Sequence, residues 1–163
     1  MRATSFLRPA TVKPIIAVVG GSSCNAAEAQ LAEELGRRLA EAGAVVICGG
    51  LTGVMESVAK GVRQGGGLAI GILPGADRRE ANDYIDVALA TGMGEMRNAL
   101  IVRAAGAVVA VGGGHGTLSE VALALRIGTP VAGLRDRFVG VVEMPRLDSP
   151  AAAADWAIAQ ANR

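Results

Sequence analysis

The sequence GAVVAVGGGHGTLSE, residues 106–120, joins a short apolar run to a glycine-rich loop and then to the start of a helix. The run Gly106–Val111 is too short for a buried helix and ends at glycine, which favours a strand buried on both faces. In the loop Gly112–Thr117, glycine lets backbone N–H groups face a ligand without a Cβ in the way. The following helix adds unpaired N–H groups and a positive dipole end. The stretch therefore predicts a strand–loop–helix unit that binds an anion, most often a phosphate.

Similar short apolar runs recur along the chain and alternate with longer helical stretches. The other runs are Ile15–Val19, Ala44–Cys48, Leu68–Ile72, Val87–Ala90, Pro130–Leu134 and Val139–Val142. The alternation predicts an α/β fold, a single doubly wound, Rossmann-like domain with a mostly parallel sheet of about seven strands and helices on both faces. In such a sheet ligands bind outside the carboxyl ends of the strands, near the point where the strand order switches direction.

Helix start and stop signals lie between these runs. Asn25 and Glu28 have the spacing of a capping box at the start of the first helix. The next three helices are predicted over about 52–64, 95–105 and 117–127, where glycine or proline ends them. The last begins at Ser149, which is followed by proline at the first helical position.

Composition limits the class of protein. The chain has 163 residues, of which 51% are apolar and 19% charged, with a net charge of +1. This predicts an ordinary buried core and gives no reason to expect nucleic acid or a membrane as partner. No apolar run reaches the roughly 18 residues of a membrane helix. Residues 1–13 are predicted to be a flexible extension that precedes a domain over 14–163.

Cysteine and histidine are too few for a metal site. Cys24 and Cys48 are the only cysteines and His115 is the only histidine. Two cysteines cannot form a zinc site alone, and their spacing matches no redox motif. Free thiols are typical of the reducing cytosol, so the sequence predicts a cytoplasmic protein without a metal.

Two further strand ends open into glycine-rich turns, Val19–Ser23 and Cys48–Met55. One such loop is most simply a tight turn, but three at one edge of a sheet favour a phosphate or nucleotide site. The lysine of a P-loop is missing, and no loop fits the usual dinucleotide fingerprint. His115 is the only residue inside the third loop that is not glycine. The simplest interpretation is that its side chain is exposed there. The predicted ligand-binding residues are Gly21, Ser22, Gly49, Gly50, Gly53, Gly113, Gly114, His115, Gly116 and Thr117.

Thr117 and Glu120 allow two interpretations. Threonine followed three residues later by glutamate is a capping box, and by spacing alone this interpretation is preferred. Alternatively, Thr117 contacts a phosphate and Glu120 lies beside a sugar or base, where a carboxylate serves as general base or stabilises an oxocarbenium ion. Arg97 is then its predicted catalytic partner, although most arginines lie solvated on a surface.

Several motifs together resemble one superfamily. They are GGLTGVME at 49–56, TGM at 91–93, Arg97-Asn98 and GGGHGTLSE at 112–120. In order and spacing they are similar to those of the LONELY GUY phosphoribohydrolases and the molybdenum-cofactor carrier proteins. The resemblance covers about residues 15–134 and implies a Rossmann-like fold and a homo-oligomer, either a dimer or a tetramer.

The departures from the hydrolase pattern resemble the cofactor-carrier branch. The hydrolases carry P-G-G-x-G-T-x-x-E, but Gly112 stands where proline is expected, and their Arg-Lys pair is here Arg97-Asn98. The resemblance therefore implies a protein that binds a phosphorylated, nucleotide-like ligand, either a nucleoside monophosphate or molybdenum cofactor, with no further cofactor required. The alternative is an enzyme that hydrolyses the N-glycosidic bond of a nucleoside 5′-monophosphate, with Arg97 and Glu120 as its catalytic residues.

Overall fold

The computed structural model describes residues 12–163 as one α/β domain. Most of the extension predicted over residues 1–13 lies outside the described residues. The strands are β1 (Ile15–Gly20), β2 (Val45–Cys48), β3 (Leu68–Leu73), β4 (Val87–Ala90), β5 (Ala107–Val111), β6 (Val131–Leu134) and β7 (Arg146–Leu147). The helices are α1 (Ala26–Glu41), α2 (Val54–Gln64), α3 (Asn98–Ala104), α4 (His115–Ile127) and α5 (Pro150–Ala161), with short 3₁₀ turns at Arg78–Glu80 and Gly94–Arg97.

All seven strands are parallel, in the order β4-β3-β2-β1-β5-β6-β7. The chain moves outward from β1 to β4 and then returns to the other side of β1 with β5. The strand order therefore switches direction between β1 and β5, and their carboxyl ends open a crevice there. This confirms the predicted doubly wound sheet.

Helices cover both faces of the sheet, as predicted. On β1, Ile16 and Val18 pack against α1, α2 and α5, whereas Ala17 and Val19 pack against α3 and α4. All four side chains are buried, because successive residues of a strand point to opposite faces. This two-sided burial explains why the central strands are continuous apolar runs.

The backbones of α1 and α2 approach each other unusually closely. A Cβ at Gly36 would overlap the carbonyl group of Val58, and one at Gly61 would overlap that of Glu33. Glycine costs a helix about 1 kcal/mol relative to alanine, and close packing of the two helices offsets that cost. The capping box at the start of α1 is confirmed, since Asn25 and Glu28 each accept a hydrogen bond from the other's backbone N–H.

The strand predicted at Val139–Val142 is wrong. These residues form a turn in which the N–H groups of Val141 and Val142 both donate to the carbonyl of Phe138. Val139 and Val141 are exposed, and Gly140 has a φ of +77°. The strand was predicted from apolar composition alone. The seventh strand is instead formed by the two residues Arg146–Leu147, which pair with β6.

Candidate functional site

The loops that follow β1, β2 and β5 surround a cavity of about 460 Å³ at the carboxyl edge of the sheet. The backbone joins two of them, because the Val54 N–H donates to the Gly21 carbonyl over 3.0 Å. The cavity is lined by Val19, Gly20, Gly21, Ser22, Ser23, Gly49, Leu51, Met55, Pro74, Glu95, Arg97, Asn98, Gly113, Gly114, Gly116, Thr117, Glu120 and Arg137. It lies at the switch point between β1 and β5, where this fold class binds ligands.

The loop before α4 leaves the first turn of that helix uncapped. Gly114 is the N-cap, and glycine has no side chain to accept a hydrogen bond from the helix start. The N–H groups of the first turn have no partner within a helix, so they are free to bind an anion. Gly114 and Gly116 both line the cavity.

The glycines of this loop fall into two groups. Gly112 and Gly113 have φ of +55° and +105°, and a Cβ at either would lie 2.6 Å from Glu28 or Thr117. The fold itself therefore requires glycine at both positions. A Cβ at Gly114 or Gly116 would meet no atom within 4 Å. Packing therefore does not explain glycine at these two positions, which leave open space beside the start of α4.

The capping box preferred by spacing for Thr117 and Glu120 is wrong. Helix α4 begins at His115, so Thr117 lies inside its first turn and cannot be the N-cap. The helix starts early because Gly114 adopts an extended conformation, with φ −122° and ψ −153°. Thr117 and Glu120 are instead buried side chains that line the cavity one helical turn apart.

Glu120 is a buried carboxyl group without a hydrogen-bond partner among residues 12–163, and it is only 6% exposed. Burial raises the pKa of Glu120 to about 8, although the positive charge of Arg97 acts in the opposite direction. The side chain is therefore mostly protonated and uncharged at neutral pH.

Arg97 is also buried and lines the same cavity. Its Nε donates to the Ile72 carbonyl over 2.8 Å, and its Nη1 donates to the Asn98 side chain. Burial lowers the pKa of Arg97 from its ordinary value, while Glu120, Cys48 and Glu95 oppose that shift. The structure thus brings the predicted pair into one cavity, but Arg97 and Glu120 form no direct ion pair in the described chain.

Cys48 lies beneath the cavity at the end of β2 and is 1% exposed. Burial raises the pKa of its thiol to about 11, partly offset by the Gly50 N–H and by Arg97. The thiol is therefore un-ionised at neutral pH, and it is a free cysteine, as the sequence predicted.

Some of the other predicted ligand-binding residues line the cavity, and the rest do not. Gly21, Ser22 and Gly49 line the cavity, whereas Gly50 and Gly53 lie behind it. A Cβ at Gly50 would lie 2.7 Å from the side chain of Leu73, and one at Gly53 would overlap the backbone of Gly21. His115 is exposed and does not line the cavity.

Sequence reasoning missed several residues of the cavity wall, chiefly Arg137, Met55 and Pro74. Pro74 directly follows β3, and Met55 lies in the first turn of α2, after the glycine loop that follows β2. The rule that ligands bind at the carboxyl ends of strands could have included both. Arg137 follows β6 within the charged stretch Arg135-Asp136-Arg137, and that stretch was its only local signal.

Two kinds of feature are absent from residues 12–163. No group of three histidine, cysteine, aspartate or glutamate side chains lies close enough to hold a metal ion in this range. None of the helices there is long and apolar enough to cross a membrane.

A parallel sheet with a cavity at its switch point places the chain among the Rossmann-like α/β proteins. Within that class it belongs to the SLOG cluster4 family, whose model matches residues 13–157. An uncharacterised protein of Archaeoglobus fulgidus is 41% identical over 143 residues, covering 88% of this chain and 93% of that protein.

Two solved structures are similar over nearly their whole length. The molybdenum cofactor binding protein of the phototrophic bacterium Rippkaea orientalis has a TM-score of 0.85 and 35% identity, covering 90% of this chain and 96% of that one. The molybdenum cofactor carrier protein of Chlamydomonas reinhardtii has a TM-score of 0.83 and 31% identity, covering 93% and 100%.

A more distant relative represents the hydrolase branch. A probable cytokinin riboside 5′-monophosphate phosphoribohydrolase of Oryza sativa subsp. japonica is 34% identical over 93 residues, covering 55% of this chain and 38% of that protein. The resemblance to the superfamily, nearer its cofactor-carrier branch, is therefore confirmed.

Proposed function

We propose that the chain binds a small phosphorylated, nucleotide-like ligand in this cavity and serves as a carrier of molybdenum cofactor. The observation that carries the proposal is the pair Gly114 and Gly116, which face open space beside the uncapped start of α4. A phosphate there meets several backbone N–H groups and the positive end of the helix dipole. The similarity to two proteins named for molybdenum cofactor supports the choice of cargo.

The walls of the cavity suggest how the ligand is oriented. The helix start follows β5, whereas Leu51, Met55 and Pro74 follow β2 and β3 on the other side of β1. These three side chains offer an apolar surface for a flat ring system, and ligand sites commonly combine such surfaces with a few polar groups. The ligand then lies across β1, with its phosphate at α4 and its ring towards β2 and β3.

Glu120 can bind the ligand without adding negative charge to the cavity. An oxocarbenium-like transition state is stabilised by a negative charge, but the carboxyl group is mostly neutral at pH 7 because burial raises its pKa to about 8. A neutral carboxyl group instead donates a hydrogen bond to an oxygen or ring nitrogen of the ligand. It also adds no negative charge beside the phosphate.

Hydrolysis of a nucleoside monophosphate is the second candidate. It is favoured by one observation, that Arg97 and Glu120 both line the same cavity. If the protein is a hydrolase, Glu120→Gln lowers the rate on the order of a hundredfold. Arg97→Ala then gives a similar loss, and the double variant loses little more because the two act as one unit.

One experiment separates these functions. The protein is purified without phosphate, its retained ligand is measured by native mass spectrometry, and its molybdenum and phosphorus contents are determined. The same preparation is assayed for release of adenine from AMP, with Arg103→Ala as control because Arg103 is an exposed α3 residue outside the cavity wall.

The outcomes differ between the two functions. A retained phosphorylated pterin without adenine release supports the carrier. Adenine release that depends on Glu120 and Arg97 supports the hydrolase. A protein that retains no ligand and binds neither AMP nor inorganic phosphate contradicts the proposed cavity function altogether.

A further inference from the structure

The turn after β6 holds Arg137 between two anchored residues. Asp136 is buried, lies 3.2 Å from the Arg146 side chain, and accepts a hydrogen bond from the Phe138 N–H. Phe138 is only 5% exposed and packs into the core on the α3 and α4 side of the sheet. Since both neighbours are anchored, the backbone at Arg137, and with it the direction of the Cα–Cβ bond, is held in place.

Arg137 is also held by Glu28, which lies 109 residues earlier in the chain. Its Nη2 and Nε donate to Oε1 of Glu28 over 2.6 Å and 3.2 Å. Burial alone raises the pKa of Glu28, but the hydrogen bonds from Arg137 and Asn25 outweigh burial and leave the pKa below its ordinary value. Glu28 is thus an ionised, buried carboxylate that the capping box of α1 already orients.

This ion pair lies directly against the loop that leads into α4. Oε1 of Glu28 would be 2.6 Å from a Cβ at Gly112, so the carboxylate touches the first glycine of that loop. Strand β6, which precedes Arg137, is the neighbour of β5, which precedes Gly112. Neighbouring strands are only about 4.8 Å apart, so the two loops start side by side.

The guanidinium group of Arg137 retains hydrogen-bond donors for a ligand. An arginine side chain has five N–H donors, and among residues 12–163 the structure gives the Nη1 atom no acceptor. The side chain lines the cavity together with Gly113, Gly114 and Thr117, and it is 59% exposed. It therefore offers a positive charge beside the uncapped start of α4.

We propose that Arg137 is the side chain that binds the phosphate group of the ligand, opposite the backbone N–H groups of α4. This inference rests on the proposed function and adds the residue that recognises charge. Arginine suits the role because its planar group bonds a carboxylate on one side and a phosphate on another. The backbone N–H groups donate to any small anion, whereas Arg137 favours one with more negative charge.

A purely structural role for the ion pair makes a different prediction. If Arg137 only fastens the turn to α1, its removal lowers the stability of the protein and leaves its affinity for phosphate unchanged. The single variant Arg137→Gln also leaves the buried Glu28 charge unpaired, which is costly. The double variant Glu28→Gln/Arg137→Gln avoids this, because glutamine retains the capping box and the net charge of the chain stays the same.

The test measures binding of inorganic phosphate by titration calorimetry and unfolding by denaturant in the absence of phosphate. The variants are Arg137→Gln, the double variant and the control Arg135→Gln, which removes the same charge two residues away, outside the cavity wall. A hydrogen bond to a charged group corresponds to about a tenfold to hundredfold change in affinity. We expect a loss of that size in the single and double variants and less than a twofold change in the control.

Two results would overturn the inference in distinguishable ways. If the wild-type protein binds phosphate and the double variant binds it within twofold, Arg137 is only a structural residue and the proposed function stands. If the wild-type protein does not bind phosphate, the proposed function fails together with this inference. Because the double variant has no unpaired buried charge, the test does not depend on whether Arg137→Gln folds.

Discussion

Gly49 and Arg97 are packed so closely that the glycine has no room for a side chain. A Cβ at Gly49 would lie 2.7 Å from Nη2 of Arg97 and 2.5 Å from the sulfur of Met55. Arg97 cannot simply move away, because its Nε is bonded to the Ile72 carbonyl and its Nη1 to Asn98. The second glycine loop therefore sets the position of the buried arginine as well as part of the cavity wall.

Gly49→Ala is expected to displace Arg97 while leaving the fold in place. Forcing an extra methyl group into a packed site typically costs about 1–3 kcal/mol, and we expect a loss of that size in the free energy of unfolding. The matched control is Gly114→Ala, where the same methyl group meets no atom within 4 Å. Equal stability of the two variants in denaturant titrations would show that Gly49 does not constrain Arg97.

Gly114→Leu is expected to abolish binding of inorganic phosphate without destabilising the protein. The new side chain has room in the folded chain, and that room is the cavity itself. Gly116→Leu should behave in the same way. Ala159→Leu places a leucine at an exposed α5 residue and serves as control. Unchanged phosphate affinity in either glycine variant, measured by calorimetry, would count against the assignment of the site.

Glu120 should make the stability of the protein depend on pH. Its pKa is about 8 in the folded chain against an ordinary value of 4.5. Between these values the unfolded chain has lost a proton that the folded chain keeps, so rising pH favours unfolding. We therefore expect the free energy of unfolding to fall by a few kcal/mol between about pH 5 and pH 8. Glu120→Gln should remove most of this slope.

The comparison isolates Glu120 because Glu28, Glu33 and Cys48, whose pKa values are also shifted, titrate outside this range of pH. The pKa values of Glu28 and Glu33 are lowered, so their contributions are complete above pH 5, and that of Cys48 is about 11. Denaturant titrations of both proteins at pH 5.5 and pH 8 provide the measurement. A parallel pH dependence in wild type and Glu120→Gln would mean that Glu120 is ionised in the folded protein.

Much of this fold and site follows from local sequence patterns. Strands β1 to β6 were predicted because each is a short apolar run that alternates with a longer helical stretch. The glycine loops after β1, β2 and β5 were predicted to form one site. These signals are local, since a buried strand and a tight loop need only a few neighbouring residues. The start of α4 was misjudged by two residues, because glycine carries no side chain that marks a cap.

Arg137 shows why the rest could not be predicted. Its direction depends on Asp136 and Phe138, which are anchored to different parts of the fold, and on Glu28, which is distant in sequence. Nothing in its neighbourhood distinguishes it from Arg135, which does not line the cavity. Only the three-dimensional arrangement of the turn separates the two arginines.

The edge of the sheet at β4 is expected to form the contact of a homo-oligomer. In the register of β3 and β4, Val87 and Leu89 pair with Ile70 and Ile72, so they point to the face that carries α3 and α4. Both are nevertheless exposed, by 40% and 48%, because no helix of residues 12–163 covers this part of that face. Met96, 75% exposed, adds a further apolar side chain just before α3.

Leu89→Lys should therefore dissociate the oligomer, because it places a charge on an apolar contact surface. Val141→Lys is the control, since Val141 is equally apolar and 64% exposed but lies in the turn after β6. Light scattering at micromolar concentration gives the molar mass of each protein. A wild-type monomer, or an oligomer that Leu89→Lys leaves intact, would contradict this prediction.

Because Cys48 is buried, the reactivity of its thiol reports how often strand β2 opens. An alkylating reagent reacts with the thiolate, and this thiol is both covered and un-ionised while β2 is in place. Its rate of labelling in native buffer therefore reports how often that strand opens, and the partly exposed Cys24 supplies an internal reference. A ligand that binds only the folded state lowers the frequency of opening, more strongly the more tightly it binds. Slower labelling of Cys48 would therefore identify such a ligand, with no substitution or tag in the chain.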